Sequence, residues 1–374
     1  MENVAHTLLG LVLAKAGLER TTPLATTALV ISSNLPDIDV VVRVRGITSY
    51  LEHHRGLTHS FVGLAVLAAV LAFLLAYLDR KFRLRRDPFR RPVRPARLFA
   101  VSLLGGLGHT FMDFTNSYGV RPLLPFSSRW YYGDLAFVVD PWIWLILGSA
   151  AVWLTTSAAA RPNSRVALRA IFWLVLAVFA SLLVALAFRN PDETQMAIPT
   201  TLRVIWFAGL TVIVAGAVLG WGRAGARLAR YSLLLLVLYY GGLYAAHQSA
   251  RERADRDLPV ETARGLAAWP TPANPLAWQA VAGGNGFFYT RHLVVGGAVY
   301  DWREMAAADP ELVRELRQWE EARKFLDFAR FTTVTEEGGG DERRMLFRDI
   351  RFPLQMSVIV DHDRAIRSVD VRWF

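Results

Sequence analysis

The chain of 374 residues contains no cysteine. Disulfides and thiolate metal ligands are therefore excluded, and any bound metal must be held by nitrogen and oxygen. A His-Glu-x-x-His pattern is also missing, which removes the zinc-protease reading. No inverted repeat and no matching pair of interrupted hydrophobic segments is present, which weighs against a transporter. The first residues, Met1-Glu2-Asn3-Val4-Ala5-His6, lack a basic start and a small-residue cleavage site, so no removable signal peptide is expected. Acidic side chains are scarce over the first two-thirds. Residues 1–248 hold 12 against 24 basic ones, whereas 249–374 hold 20 against 18. Hydrophobic residues make up 53% of the chain and concentrate in the acid-poor part. The chain divides into a lipid-compatible region and a water-soluble one.

A membrane helix needs about 20 mainly apolar residues. Segments near 60–79, 98–116, 138–159, 166–188, 201–220 and 231–248 meet that need, and shorter ones near 4–18 and 24–42 are candidates. Gly10 and Ala14 in the first are small enough for close helix contact. The expected fold is an all-α polytopic membrane bundle of about six to eight membrane helices, followed by a small C-terminal α+β extramembrane domain. Residues 1–160 would form a membrane-embedded metal-site domain, 161–248 additional transmembrane helices, and 249–374 the soluble domain. Basic links at 80–97, 160–169 and 221–230 belong on the cytoplasmic side, and the 189–200 link, with Asp192 and Glu193, on the other. Residues 80–97 carry nine basic residues and Asp87 as their one acid. This run reads as a topology determinant. Nucleic-acid binding is disfavoured, because its aromatics end with Phe82 and Phe89.

The last third has a different pattern. Segments near 286–300, 328–335, 344–351, 355–361 and 364–374 are rich in β-branched and aromatic residues. Asp361-His362-Asp363-Arg364 suits a hairpin turn, and 309–326 has helical spacing after Asp309-Pro310. Pro270, Pro272 and Pro275 read as a stiff linker, and His292 and His362 as structural residues.

Six ionisable residues stand in the apolar region: His6, Asp37, Asp39, His59, His109 and Asp113. His109 and Asp113 are four apart, which puts them on one helix face. Ionisable groups at membrane depth are costly and usually functional. Each has a duller role open to it: Asp37 as a helix cap, His59 as a span-end hydrogen-bonding group, His109 and Asp113 as a buried pair, His6 as an exposed terminal residue. Together they suit a divalent metal, zinc first, with manganese or iron as alternatives. Six ligands exceed one open site and fit two ions with a bridging aspartate, an arrangement that clamps both oxygens of a phosphoryl displacement. Loop charges place all six at the outer membrane face. Arg55 would steady developing charge as a fork of donors, and His54 would protonate a leaving group. Asn116 and Gly119 follow on the same helix. Asp140, before Pro141, is a ligand, an outer partner for an imidazole, or a helix cap. Trp130, Tyr131, Tyr132, Trp142 and Trp144 read as an interfacial aromatic belt.

These motifs in order are His6, Leu35-Pro36-Asp37-Ile38-Asp39, His54-Arg55-Gly56-x-Thr58-His59-Ser60 and His109-x3-Asp113-x2-Asn116-x2-Gly119. They resemble the YdjM-type membrane-bound metal-dependent hydrolases of bacteria, directly over roughly residues 1–150. That family is in turn distantly similar to the zinc-dependent phospholipase C and single-strand nuclease superfamily, whose all-α members hold clustered zinc with His and Asp. This chain lacks their N-terminal Trp ligand and later His-x3-Glu pair. The resemblance implies a metal-dependent hydrolase of the bacterial inner membrane. The expected substrate is a phosphoester in a lipid or lipid-linked molecule, and the active site and C-terminal domain would face the periplasm. The competing readings are a structural metal staple and an ion or solute transporter.

Overall fold

The computed structural model describes residues 1–156, 173, 175, 178, 181, 182, 199–259, 264–337, 342–361 and 366–373. The described chain forms two compact units. The first comprises Met1–Pro36, Leu57–Ala246 and Pro270–Leu276, and the second Asp37–Gly56, His247–Trp269 and Ala277–Phe374.

Helices build the first unit. In order they are α1 (Asn3–Lys15), α2 (Ala25–Ser32), α4 (Phe61–Leu78), α5 (Pro95–Phe114), α6 (Pro141–Thr156), α7 (Thr200–Leu219) and α8 (Ala226–Asp255) as far as Ala246, with α3 (Ile47–His53) and the rest of α8 belonging to the second unit. A 3-10 stretch, Leu35–Arg45, follows α2. The helix starts obey capping chemistry. Glu2 accepts from Val4 N at 2.6 Å and Ala5 N at 3.0 Å, and Ser60 Oγ accepts from Gly63 N at 3.0 Å. Asp140 Oδ1 accepts from Trp142 N at 2.9 Å and Ile143 N at 3.3 Å, with Pro141 as the first helical residue. Of the three roles open to Asp140, the cap is the one formed. Its Oδ2 also accepts from the Tyr239 hydroxyl at 2.8 Å.

Close helix contact is built with small residues. A Cβ on Gly10 would stand 2.6 Å from Ser33 Oγ and 2.8 Å from the Leu29 carbonyl oxygen. One on Gly105 would collide with Ser32 Oγ. So α1, α2 and α5 approach backbone to backbone, as small residues permit. Leu8, Val12, Ile143, Leu147 and Leu236 form one core, and Ala28, Leu29, Leu71, Leu75, Leu98 and Val101 another.

Among the described residues, four helical segments are long and apolar enough to cross a membrane: Ala25–Arg45, Phe61–Arg86, Thr200–Leu219 and Ala226–Asp255. The count expected from the sequence was larger, for identifiable reasons. Helix α1 has 13 residues and α6 has 16, both short of a full span. Helix α5 has 20 residues, but Gly, Ser, His109 and Asp113 dilute its hydropathy. The 166–188 segment lies almost wholly outside the described residues. The spans carry outward apolar faces. Phe73 is 75% exposed on α4 and Val218 81% on α7. Apolar faces of this kind suit lipid contact.

The second unit contains two four-stranded antiparallel sheets, ordered β1-β2-β3-β4 and β5-β6-β7-β8. Their strands are Arg264–Thr271, Asn274–Gly284, Phe287–Val294, Arg303–Ala306, Thr332–Glu337, Glu342–Asp349, Leu354–Asp361 and Ile366–Trp373. The stretch read as a proline linker is in fact the β1–β2 hairpin. Strand β1 is an edge and Pro275 is the second residue of β2, positions where a missing N–H is tolerated. The helix expected over 309–326 is two, α9 (Pro310–Leu316, capped by Asp309) and α10 (Glu320–Phe328). The turn expected at 361–364 and His362 fall on residues outside the description, apart from Asp361. Lys324 of α10 pairs with Glu52 of α3 at 3.0 Å, which docks α3 on this unit.

Candidate metal centre

Four of the six residues singled out from the sequence meet in the first unit. His6 lies in the first turn of α1, aimed by the Glu2 cap. His59 precedes Ser60, the cap of α4. His109 and Asp113 lie one turn apart near the end of α5. All four are 0% exposed. Asp113 Oδ1 lies 3.4 Å from His6 Nε2, and Oδ2 lies 3.3 Å from both His59 Nε2 and His109 Nε2. The last two nitrogens are 3.0 Å apart, and the rings of His6 and His109 stack at 3.7 Å. The Met1 nitrogen also lies against Asp113 Oδ1.

These spacings can be tested against metal geometry. Tetrahedral zinc with bonds of about 2.0–2.1 Å places neighbouring ligand atoms about 3.3 Å apart. The observed distances cluster at that value. Tautomers agree. His109 Nδ1 lies 2.8 Å from the Ser33 carbonyl oxygen, which can only accept, so Nδ1 is the donor and Nε2 of the neutral ring carries a lone pair. His59 Nδ1 lies 3.1 Å from Thr58 Oγ1. A second ring nitrogen fixed by an outer group is the usual setting of a metal-bound imidazole. Neither ring nitrogen of His6 has a hydrogen-bond partner among the described residues, although both are buried. A buried polar atom without a partner is costly, and a cation at the convergence point removes that cost. The residues fit a divalent ion.

Asp37 and Asp39 lie in the second unit. With His54 they offer ligand atoms within 4.8 Å of one another. The spacing here is different. His54 Nδ1 is 2.7 Å from Asp39 Oδ1, and Arg55 N donates to Asp39 Oδ2 at 3.0 Å. A separation of 2.7 Å is too short for two ligands of one zinc and matches a charge-assisted hydrogen bond. Asp39 thus orients His54 through Nδ1. The Tyr50 ring stacks on His54 at 4.5 Å, and burial pushes the Tyr50 hydroxyl up to about 12. The Arg55 side chain is buried on a backbone with φ of 55°. At that left-handed angle its N–H faces Asp39.

Around the first set, Asn116 ends α5 by accepting from Tyr118 N at 2.9 Å. Trp130 stacks on Tyr132 at 6.4 Å, and Arg121 lies over Trp130 at 4.5 Å. The Ser33 carbonyl was invisible to sequence reading, because a backbone atom carries no residue signal. Tyr239 was missed because it stood in an apolar run, yet a buried hydroxyl needs a partner, and Asp140 is one.

Comparison with known proteins adds three findings. The model of a family described as "YdjM inner membrane protein" matches residues 1–191. The chain is similar to "Uncharacterized protein YfhP" of Bacillus subtilis (strain 168), 30% identical over 127 residues, which is 34% of this chain and 36% of that protein. The chain thus matches little more than a third of that relative's length. No solved structure matches it.

Proposed function

The chain belongs to the YdjM inner membrane protein family, and from that premise we propose that it is a membrane-bound metal-dependent hydrolase. The observation that carries the proposal is the convergence of three imidazoles and one carboxylate at 3.0–3.4 Å, fully buried. Nitrogen and oxygen donors without thiolate suit zinc first, then manganese or iron. We assign one ion to His6, His59, His109 and Asp113. Asp37 and Asp39 were expected to join these four in a two-ion site; the 2.7 Å Asp39–His54 contact fits a hydrogen-bonded pair better for Asp39, while Asp37 stays among the residues able to hold a metal ion.

A bound divalent ion would acidify water and offset charge on a phosphoryl oxygen. The protein's own groups do the rest. Asp113 supplies the negative charge, the Ser33 carbonyl holds the tautomer of His109, and the Glu2 and Ser60 caps fix the angles of α1 and α4. In hydrolysis a water oxygen bonds to phosphorus, the ester P–O bond breaks and the leaving oxygen takes a proton. Within the second unit, His54 carries the proton-donor role and Arg55 the anion-steadying role assigned from the sequence, as part of this proposal and on their side-chain chemistry alone, not on any placement relative to the first unit. The candidate spans favour a phosphoester within a lipid or lipid-linked substrate. The basic links favour the metal end of the first unit, and the C-terminal domain, facing the exterior.

One observation favours a second reading. Four protein donors with no exposure also describe a closed structural site that staples α1, α4 and α5. Detergent-purified wild type, Asp37→Ala and His109→Ala should be compared for bound metal and for turnover on phosphodiesters and phospholipids. Metal retained by His109→Ala refutes the centre. Metal lost in that variant, with no wild-type turnover on any substrate, favours the staple.

A further inference from the structure

We propose that the rim at the end of α4, residues 80–97, binds anionic phospholipid headgroups. It is separate from the metal centre. The segment is held in place, because Asp79 is buried and accepts from Arg83 Nε and, at 3.0 Å, from Val93 N. Arg94 N donates to Thr22 Oγ1 at 2.9 Å, and Arg97 Nη1 donates to the Thr21 carbonyl at 2.8 Å. Its one acid, Asp87, pairs with Arg90, and Arg83 pairs with Asp79 just before the run. Seven basic residues remain in surplus, and Arg80, Lys81, Arg85, Arg86, Arg91, Arg94 and Arg97 are all exposed. Arg230 Nε donates to the Ala16 carbonyl at 3.0 Å, which brings the start of α8, with exposed Arg223 and Arg227, to the same end of the unit. His59 and His6 lie at the opposite ends of α4 and α1.

The occupant follows from what flanks the charge. The rim closes a candidate span, Phe61–Arg86, whose outward face is apolar. Phe89 is 98% exposed and Phe82 50% exposed within the basic run. Lys81 Nζ lies over the Tyr77 ring at 5.5 Å and over the Phe82 ring at 5.4 Å, so basic and aromatic groups meet at this span end. Apolar anchors between guanidinium groups at a span end fit a headgroup layer, where each basic residue adds to the attraction for anionic lipid. Headgroup phosphates match the planar fork of arginine.

The test uses the full chain in neutral detergent with equal phosphatidylglycerol and phosphatidylcholine, counting bound lipids by native mass spectrometry. Wild type should favour phosphatidylglycerol by about tenfold at low salt, and the preference should shrink as salt screens it. Arg80→Gln, Arg85→Gln, Arg86→Gln and Arg91→Gln combined should bring the ratio close to one, while the same four changed to Lys should largely keep it. Retained metal content shows that the Gln variant is folded. Should it fail to fold, the salt series on wild type decides. Equal binding of the two lipids by wild type, a preference that ignores salt, or a folded Gln variant that keeps the preference would each overturn the proposal. So would a short DNA duplex that displaces phosphatidylglycerol from the rim.

Discussion

In the helical unit, three imidazoles stand 3.3–3.4 Å from the Asp113 carboxylate, whereas in the second unit an imidazole stands 2.7 Å from Asp39. The residue types are the same and the jobs differ. At the longer distance the groups share an acceptor and leave room for a cation. At the shorter one they share a proton. His and Asp in one motif therefore do not define a ligand set, because the separation decides which chemistry they support.

The strongest way to break the comparison is to remove its charged member on the first side. Asp113→Ala should lower metal affinity by roughly tenfold or more, because the ion loses one of its four ligands and the one negative charge among them. Elemental analysis of the purified protein over a series of metal concentrations checks this. Next comes Gly10→Ala, whose methyl would press on Ser33 Oγ and the Leu29 carbonyl. It should cost about 1–3 kcal/mol of stability and weaken metal binding through the displaced Ser33 carbonyl, both read from thermal melts with and without added zinc. On the second side, Asp39→Asn should leave the ion count unchanged while cutting hydrolysis by roughly 10–100-fold, as for other carboxylates that orient an imidazole. A loss of one ion per chain in that variant would make Asp39 a ligand and erase the contrast.

The smallest effect concerns His292. Burial, then the neighbouring Arg303, holds its imidazole below the usual histidine range. The unfolded chain then binds more protons than the folded one in mildly acid solution. Stability of the C-terminal domain should fall as pH drops below about 6.5. Denaturant midpoints measured against pH should flatten in His292→Gln; an unchanged slope assigns the acid sensitivity elsewhere.

Much of this was legible in the sequence because expensive groups in apolar surroundings advertise themselves. His6, His59, His109 and Asp113 stood out that way, and α5 brings the last two onto one face. Gly10 was legible as a close-contact residue. Other features were not. The Asp39–His54 hydrogen bond and a shared ligand role use the same residues at the same spacing, so only coordinates separate them. Pro270, Pro272 and Pro275 suggested a linker because proline counts against strands, yet strand edges and starts accept it. The break between α9 and α10 falls inside a stretch with continuous helical periodicity, which hides a turn. The Ser33 carbonyl leaves no mark in the sequence, although it fixes the tautomer of His109.

The central claim is that His6, His59, His109 and Asp113 together hold a divalent ion. X-ray absorption at the metal edge of the purified full chain tests it most directly. A single ion surrounded by about three imidazole nitrogens and a carboxylate oxygen near 2.0–2.2 Å is the expected result, with the carboxylate oxygen gone from that shell, or the ion lost, in Asp113→Ala. No bound metal in wild type, or an unchanged spectrum in the variant, would contradict it.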